Sequence, residues 1–391
     1  MKRISYLLIL LSALQFISCS EGGVPRKIVS DVDSIASRWV PQNSESLCDA
    51  ELVFSSSGRI IVRGETNLAE AKEEISEYMK NSGHAFTDSL TLLPDTSIIK
   101  NPWGLITLSV SNIRSKPSHS AELITQAILG TPVKILKKDG GWMFIQTPDS
   151  YLGWTNNSAV AEYSEAEMAE WRKADRVIFK RNYGDILSAK GEVVSDLVFG
   201  AIVAKTGEAK GNFNIELPDG REGNIKMSEA SDFRTWAENT HPAADDLTAY
   251  ARTLLGSPYL WGGTSSKGID CSGYVKTIYL SNGVILTRDA SSQYKYGKEI
   301  PVENNLDSLL PGDLLFFGRE RNGRKIITHV GMYIGDTEVI HSPGIIEVMS
   351  LDSTRVNFSN FRSRSIQGAK RIIGVTPGKG IERVSQHNWY F

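Results

Sequence analysis

The sequence has little of several features that mark particular protein classes. It contains only three cysteines in 391 residues, so it can form at most one disulfide. Basic residues are not in excess, with 43 Lys and Arg against 45 Asp and Glu scattered along the chain, which argues against a nucleic-acid-binding protein. Neither an HxxxH nor a CxxC spacing occurs, which disfavours a zinc site, and the absence of GxSxG disfavours a serine nucleophile. The remaining composition, 41% hydrophobic and 23% charged, is that of a globular protein of two to four domains.

The one long apolar run lies at the start and is too short for a comfortable membrane span. It follows Lys2 and Arg3 and ends in "FISCS", where Cys19 stands at the position that a bacterial lipoprotein cleaves and acylates. We therefore expect a signal peptide over residues 1–18, lipidation of Cys19, and a membrane-anchored lipoprotein that faces the periplasm or the cell surface. The alternative is plain secretion, with Cys19 inside the discarded peptide.

Residues 19–100 form a region that we expect to be mostly helical. In "NLAEAKEEISEYMK" the residues Leu68, Ala71, Ile75 and Tyr78 fall near one helical face. Cys48 precedes an apolar stretch that also looks helical, and it is either a buried single thiol or the partner of Cys271 in a disulfide.

The middle of the chain contains an internal repeat. Residues 128–155 align with 197–226, pairing Gly130 with Gly200, Trp142 with Phe213 and Gly153 with Gly223, at an offset of 70 or 71 residues. Each copy alternates short apolar strands with Gly, Asp and Pro turn signals, which predicts two small β-barrels over 101–162 and 175–233. A short polar helix is expected between them.

Residues 238–375 are predicted to form an α+β domain, with helices followed by an antiparallel meander. In "GIDCSGYV", Asp270 is a good N-cap, so Cys271 falls in the first turn of a helix. Cys271 is either a small buried apolar residue or a nucleophile whose pKa is lowered by the helix N-terminus.

Two of the six histidines lie in the strands that follow Cys271. A "GDT" hairpin signal at 335–337 should bring His341 opposite His329, within one residue of register. Opposed side chains on a hairpin have Cβ atoms about 5 Å apart, so His329 could act as a base that His341 orients. A structural pair or a metal site are the other interpretations of two neighbouring histidines.

Four motifs in order, "SPYLWGG…GIDCSGY", "LPGDLLFF", "THVGMYIGD" and "VIHSPG", resemble the NlpC/P60 family of papain-like cysteine peptidases. The repeat before them is similar to bacterial SH3 (SH3b) modules. The resemblance implies Cys271 as nucleophile, His329 as base and His341 as the polar third residue, with Tyr259 beside the thiol. It implies substrate contacts at the following positions: Tyr151, Trp261, Asp270, Ser272, Arg288 and Asp289.

Within these contacts, Asp270 would hold a substrate ammonium and Arg288 a substrate carboxylate, although a helix cap and an Arg288–Asp289 ion pair are equally open. Where some relatives carry an acidic residue before "TQ", this chain has Ile124, and Glu122 could substitute.

The resemblance implies a hydrolase of γ-D-glutamyl–diamino acid bonds in peptidoglycan stem peptides. We expect small peptides with a free N-terminal L-Ala as substrates, no cofactor, no metal, and a monomer without nucleic-acid partners. Alternatives are an endopeptidase on polymeric peptidoglycan, a non-catalytic wall-binding lipoprotein, and a transferase that uses the same three residues.

Overall fold

The computed structural model describes residues 23–40, 45–302 and 306–391. The predicted signal peptide and Cys19 lie outside these residues, so the lipid anchor stays a prediction. In the part of the chain that the structure describes, no helix is both long and apolar enough to cross a membrane. The described chain divides into an N-terminal unit, which ends near residue 91, and a larger unit that contains everything after it together with residues 45–47.

The N-terminal unit has two helices and a three-stranded sheet of order β1-β2-β3, so the expectation of a mostly helical region was wrong. Helix α2 agrees with its predicted apolar face, but Cys48 begins a strand. In β2 the buried residues Ile60 and Val62 flank the less buried Ile61, and β-branched residues with a period of two favour a strand. The elements are α1 Arg26–Trp39, β1 Cys48–Phe54, β2 Ile60–Thr66, α2 Ala69–Asn81 and β3 Phe86–Leu92.

Two consecutive modules begin the larger unit, and each forms a seven-stranded antiparallel sheet. The first contains β4 Trp103–Ile106, β5 Val110–Arg114, β6 Leu123–Ile128, β7 Pro132–Asp139, β8 Trp142–Gln146, β9 Leu152–Asn156 and β10 Val160–Tyr163. Helix α3, Glu165–Lys173, follows it. The second contains β11 Arg176–Phe179, β12 Gly184–Leu187, β13 Val193–Leu197, β14 Ile202–Ala209, β15 Asn212–Glu216, β16 Glu222–Lys226 and β17 Ala230–Asp232.

The strand orders of the two modules match element for element. The first sheet runs β10-β4-β7-β8-β9-β5-β6 and the second runs β17-β11-β14-β15-β16-β12-β13. Hairpin partners give an offset of 70, since Asp139 pairs with Trp142 and Ala209 with Asn212. Phe213 therefore corresponds to Met143, not to Trp142 as the sequence alignment had it. Both of these residues are buried in their module's core, whereas the closure of each sheet into a barrel stays a prediction.

The rest of the larger unit is an α+β domain, as predicted. Its six-stranded antiparallel sheet has the order β21-β26-β22-β23-β24-β25. The helices are α4 Phe233–Asn239, α5 Ala244–Arg252, α6 Cys271–Ser281, α7 Ala290–Gln293 and α8 Asn360–Arg364. The strands are β18 Thr264–Ser265, β19 Gly268–Ile269, β20 Val284–Leu286, β21 Lys298–Ile300, β22 Leu314–Arg321, β23 Arg324–Gly335, β24 Glu338–His341, β25 Glu347–Ser350, β26 Ile366–Arg371 and β27 Ile381–Arg383.

Helix α6 is the central element of this domain. Its predicted apolar stripe, which includes Tyr274, Val275 and Ile278, packs on the face of the sheet that carries Val330 and Met332. Because all five side chains are buried, the N-terminal end of α6 is fixed against β23.

The C-terminal tail packs between several parts of the larger unit. Trp389 and Tyr390 lie in one apolar cluster with Trp103 of the first module, Ile202 of the second and Phe233 of α4. The tail therefore ties both modules to the α+β domain, in addition to strand β27, which pairs with β20.

Candidate active site

Cys271 is the first residue of α6, and the chain before it is held by the Asp270 carboxylate. Asp270 Oδ1 accepts a hydrogen bond from Gly273 N–H at 2.8 Å, which is the N-cap interaction that the sequence predicts. Its Oδ2 accepts one from Gly262 N–H at 2.9 Å. These bonds place the Cys271 side chain, which is only 8% exposed, at the floor of a cleft.

Burial dominates the electrostatics of the Cys271 thiol. Desolvation, followed by the nearby Asp270 charge, raises the pKa of Cys271, while the backbone N–H groups of Val330 and Ser272 and the charge of Arg288 oppose that rise. The backbone N–H at the helix start thus lowers the pKa of Cys271, as the sequence predicts, but burial outweighs it and the net shift is upward. A neutral thiol needs a base to become a nucleophile.

His329 and His341 form a buried pair behind the thiol. His329 Nε2 and His341 Nδ1 are 2.8 Å apart, and the ring planes are nearly perpendicular at 78°. The pairing register differs from the predicted one, since His341 faces Gly331, two residues from His329. A bulge between Tyr333 and Gly335 shifts the strand by one residue, and Asp336 and Thr337 form the tight turn with φ of 51° and 61°.

The histidine pair lies next to the thiol along strand β23. The backbone N–H of Val330, the residue after His329, favours the thiolate form of Cys271, which indicates that this part of β23 lies beside the thiol. Burial lowers the pKa of both His329 and His341, and the positive charge of Arg362 lowers both further. Both rings are therefore neutral at pH 7, as a base and its orienting partner must be.

Arg362 lies on helix α8, close to both histidines. Its guanidinium carbon is 5.9 Å from the centre of the Phe317 ring, and Phe317 faces His329 directly across strands β22 and β23. The Phe317 and His329 rings are 5.7 Å apart. Arg362 is therefore a cation close to the candidate base, and the sequence analysis did not identify it.

The thiol lies in a cleft of about 390 Å³ whose far end is formed by the first module. Tyr151 Oη donates to Asp289 at 3.2 Å, and Trp261 Nε1 donates to Glu122 at 2.8 Å. Tyr259 also lines the cleft, and burial together with the Cys271 charge raises its pKa to about 12, so its O–H stays a donor. The structure thus brings these predicted residues together, with Glu122 at the position suggested for the missing acidic residue.

Asp270 and Arg288 are paired with each other and not with solvent. Two guanidinium nitrogens of Arg288 donate to the Asp270 carboxylate, and the remaining one donates to Thr125 Oγ1 of the first module. The Ser272 hydroxyl also accepts from Arg288, at 2.9 Å. The Arg288 side chain lines the cleft but is only 2% exposed, because this network holds it.

In this geometry Asp270 is both the helix cap, which the sequence left open as an alternative, and the charge partner of Arg288. The roles of Asp270 and Arg288 toward a substrate stay predictions. Loss of either partner would leave an unpaired buried charge, which costs about 3–5 kcal/mol. Ser272 is a member of the same network, because its hydroxyl lies between the two charges.

Cys48 and Cys271 are both free thiols, so the structure contains no disulfide between them. Among the described residues no group of three or more His, Cys, Asp or Glu side chains could hold a metal ion.

Comparisons with known proteins agree with the site. The NlpC/P60 family model matches residues 256–365, and the model for the bacterial dipeptidyl-peptidase Sh3 domain matches 113–160. The chain is 30% identical over 240 residues to a gamma-D-glutamyl-L-lysine dipeptidyl-peptidase of Bacillus cereus, covering 58% of this chain and 69% of the relative. The chain belongs to the NlpC/P60 family. It is a hydrolase in which an SH3-type module precedes the peptidase domain.

Two further similarities extend over most of a relative. Dipeptidyl-peptidase 6 of Lysinibacillus sphaericus is 29% identical over 269 residues, which is 63% of this chain and 91% of the relative. The crystal structure of an NlpC/P60 family protein from Bacillus cereus superposes with a TM-score of 0.60 at 24% identity, covering 69% of this chain and 99% of that one. That likeness supports the fold that the motifs predict.

Proposed function

We propose that the protein hydrolyses the bond between D-Glu and the following diamino acid in small peptidoglycan peptides with a free N-terminal L-Ala. The observation that carries the proposal is the closed cleft, in which the thiol lies at the floor and two carboxylates lie at the end formed with the first module. The names of the relatives, which act as gamma-D-glutamyl dipeptidyl-peptidases, agree with this substrate class.

The chemistry follows from the side chains around Cys271. Because His329 uses Nε2 to contact His341, its Nδ1 is the atom that takes the thiol proton. The sulfur attacks the γ-carbonyl carbon, and the N–H of Cys271, at the helix start, donates to the resulting oxyanion. His329 then protonates the leaving amine, and water hydrolyses the thioester with His329 again as the base.

We assign recognition of the substrate ammonium to Glu122 and Asp289. Each carboxylate lines the cleft and accepts a hydrogen bond from a cleft side chain, Glu122 from Trp261 and Asp289 from Tyr151, so both present negative charge to a bound ammonium. We do not assign this role to Asp270, because its oxygens already accept hydrogen bonds from Arg288 and from two backbone N–H groups. We expect the Tyr151 side chain at this end of the cleft to admit an ammonium and to exclude a continuing glycan-linked chain.

The test is mass spectrometry of cleavage with L-Ala-γ-D-Glu-L-Lys and its N-acetylated form, and with the matching diaminopimelate peptides. We expect release of L-Ala-D-Glu from the free peptides and cleavage of the acetylated ones slower by about 100-fold or more, because an ammonium–carboxylate contact is lost. Cys271→Ala should be inactive on all of them.

Equal cleavage of both forms would contradict the closed cleft and favour an endopeptidase on polymeric peptidoglycan. Cleavage of neither form would leave the transferase and wall-binding alternatives.

We also propose that the protein is exported and carries a lipid anchor on Cys19. The test is incorporation of labelled palmitate, which the Cys19→Ser variant should lose.

A further inference from the structure

Arg362 is a half-buried cation without a carboxylate partner. Among the residues that the structure describes, no Asp or Glu oxygen lies within ion-pair distance of its guanidinium. The guanidinium packs on aromatic rings, at 5.9 Å from the centre of Phe317 and 5.3 Å from that of Phe361, which is itself 73% exposed. Desolvation lowers the pKa of Arg362, because burial of an unpaired cation is unfavourable.

Arg362 lies on the side of the active site where the histidines are, away from the first module. Its guanidinium packs on Phe317, whose ring centre is 5.7 Å from that of His329, and its charge acts on Cys271, His329 and His341. It is not among the residues that line the cleft closed by the first module. Since His329 must face the leaving amine to protonate it, a cation on the histidine side lies where the leaving amino acid binds.

We propose that Arg362 binds the α-carboxylate of the leaving diamino acid, so that the enzyme prefers peptides in which this residue is the last one. This inference rests on the proposed function and adds the recognition of the leaving group. The α-carboxylate is two bonds from the leaving nitrogen, and a guanidinium beside His329 can reach it with paired N–H donors.

Binding of the substrate α-carboxylate to Arg362 also affects the chemical step. In the free enzyme the Arg362 charge disfavours the imidazolium that His329 must become. A bound carboxylate neutralises that charge at the moment when His329 takes the thiol proton. The contact is therefore stronger in the transition state than in the ground state, and its loss lowers kcat as well as raising KM.

The first experiment compares kcat and KM for L-Ala-γ-D-Glu-L-Lys and its C-terminal amide. We expect wild-type enzyme to cleave the free acid about 10- to 100-fold better in kcat/KM, as for hydrogen bonds to charged groups. Arg362→Gln should bring the two peptides to the same kcat/KM, because the free acid loses its contact while the amide, relieved of an unneutralised cation beside His329, is not slowed. Arg362→Lys should recover part of the preference for the free acid. Arg364→Gln, on the exposed side of the same helix, is the matched control.

A second measurement does not depend on turnover of any peptide. Iodoacetate carries a carboxylate beside its reactive carbon, whereas iodoacetamide does not, so the ratio of their alkylation rates at Cys271 reports a carboxylate site next to the thiol. We expect Arg362→Gln to lower that ratio about tenfold and Arg364→Gln to leave it unchanged.

The two measurements separate the possible outcomes. An equal loss on the acid and the amide, with an unchanged alkylation ratio, would overturn the proposal and give Arg362 only a general influence on the pKa values of the site. If wild-type enzyme cleaves neither peptide, the proposed function is wrong, and the alkylation ratio alone then supports or overturns the carboxylate site.

Discussion

At the scale of single residues, the site combines buried neutral groups with buried charges that are fully paired. Cys271, His329 and His341 are buried and neutral, whereas Asp270 and Arg288 are buried and charged. The paired charges hold the helix start and the cleft loop in place through hydrogen bonds to Gly262 and Gly273. The three neutral groups can exchange a proton. The charged pair therefore positions the site, and the neutral groups carry out the chemistry.

The buried histidines make the stability of the protein depend on pH. Their folded-state pKa values lie below the ordinary value of 6.5, so the unfolded chain binds more protons in acid. The stabilising contribution is thus complete above about pH 6.5 and is lost as the pH falls below it, by about 1.4 kcal/mol per pH unit for each ring. We expect urea unfolding at pH 5 to show this loss relative to pH 7.5.

The variant His341→Gln isolates that effect, because Gln retains a polar contact to His329 but cannot titrate. The difference in unfolding free energy between the two pH values should shrink by about 2 kcal/mol for the one ring removed, over the 1.5 pH units between 6.5 and 5. An unchanged difference would show that the pair is not neutral in the folded state.

At the scale of elements, the repeated glycines show how the modules are packed. A Cβ at Gly153 of β9 would lie 2.4 Å from Ile113 Cγ2 and 2.9 Å from Ile124 Cδ1. At Gly223 of β16 it would lie 2.4 Å from Ile186 Cγ2. The glycine that recurs 70 residues apart thus allows a strand to cross an isoleucine at close range in both modules.

Gly153→Ala should destabilise the protein by about 1–3 kcal/mol, because overpacking forces backbone or side-chain shifts. Since Ile124 also lines the cleft, kcat/KM should fall as well. Thermal unfolding and peptide cleavage measure the two effects. Gly141→Ala is the control, because a Cβ there meets nothing within 4 Å, and equal unfolding temperatures for the two variants would contradict this packing argument.

Sequence patterns predicted elements wherever periodicity was strong and local. Helix α6, the hairpin that carries both histidines and the repeat all follow from residue spacing. The N-terminal strands were missed because one clear helix, α2, was extended to its neighbours. The Asp270–Arg288 pair and Arg362 could not be predicted, because each depends on residues that only tertiary packing brings together.

At the scale of the whole molecule, one apolar cluster fixes the first module against the peptidase domain. Trp103, Phe233 and Tyr390 come from the first module, α4 and the tail, and all are buried together. Hydrogen bonds also join the peptidase domain directly to the first module, from Arg288 to Thr125 and from Thr264 to Gln126. The module is therefore part of the active-site architecture, and its contribution to the cleft is a fixed wall.

We expect the Tyr151 side chain, which is part of that wall, to determine whether a peptide with a blocked N-terminus can bind. Tyr151→Ala removes the ring at the closed end of the cleft. The cleavage of the N-acetylated peptide relative to the free peptide should rise by at least about tenfold, because the free peptide binds less well and the blocked peptide gains access. Tyr151→Phe is the matched control, since it keeps the ring and removes only the hydrogen bond to Asp289. Its selectivity should stay closer to that of the wild type. If both variants keep the wild-type ratio of kcat/KM for the two peptides, the Tyr151 ring does not exclude blocked N-termini, and the preference for free ones must arise from the carboxylates Glu122 and Asp289.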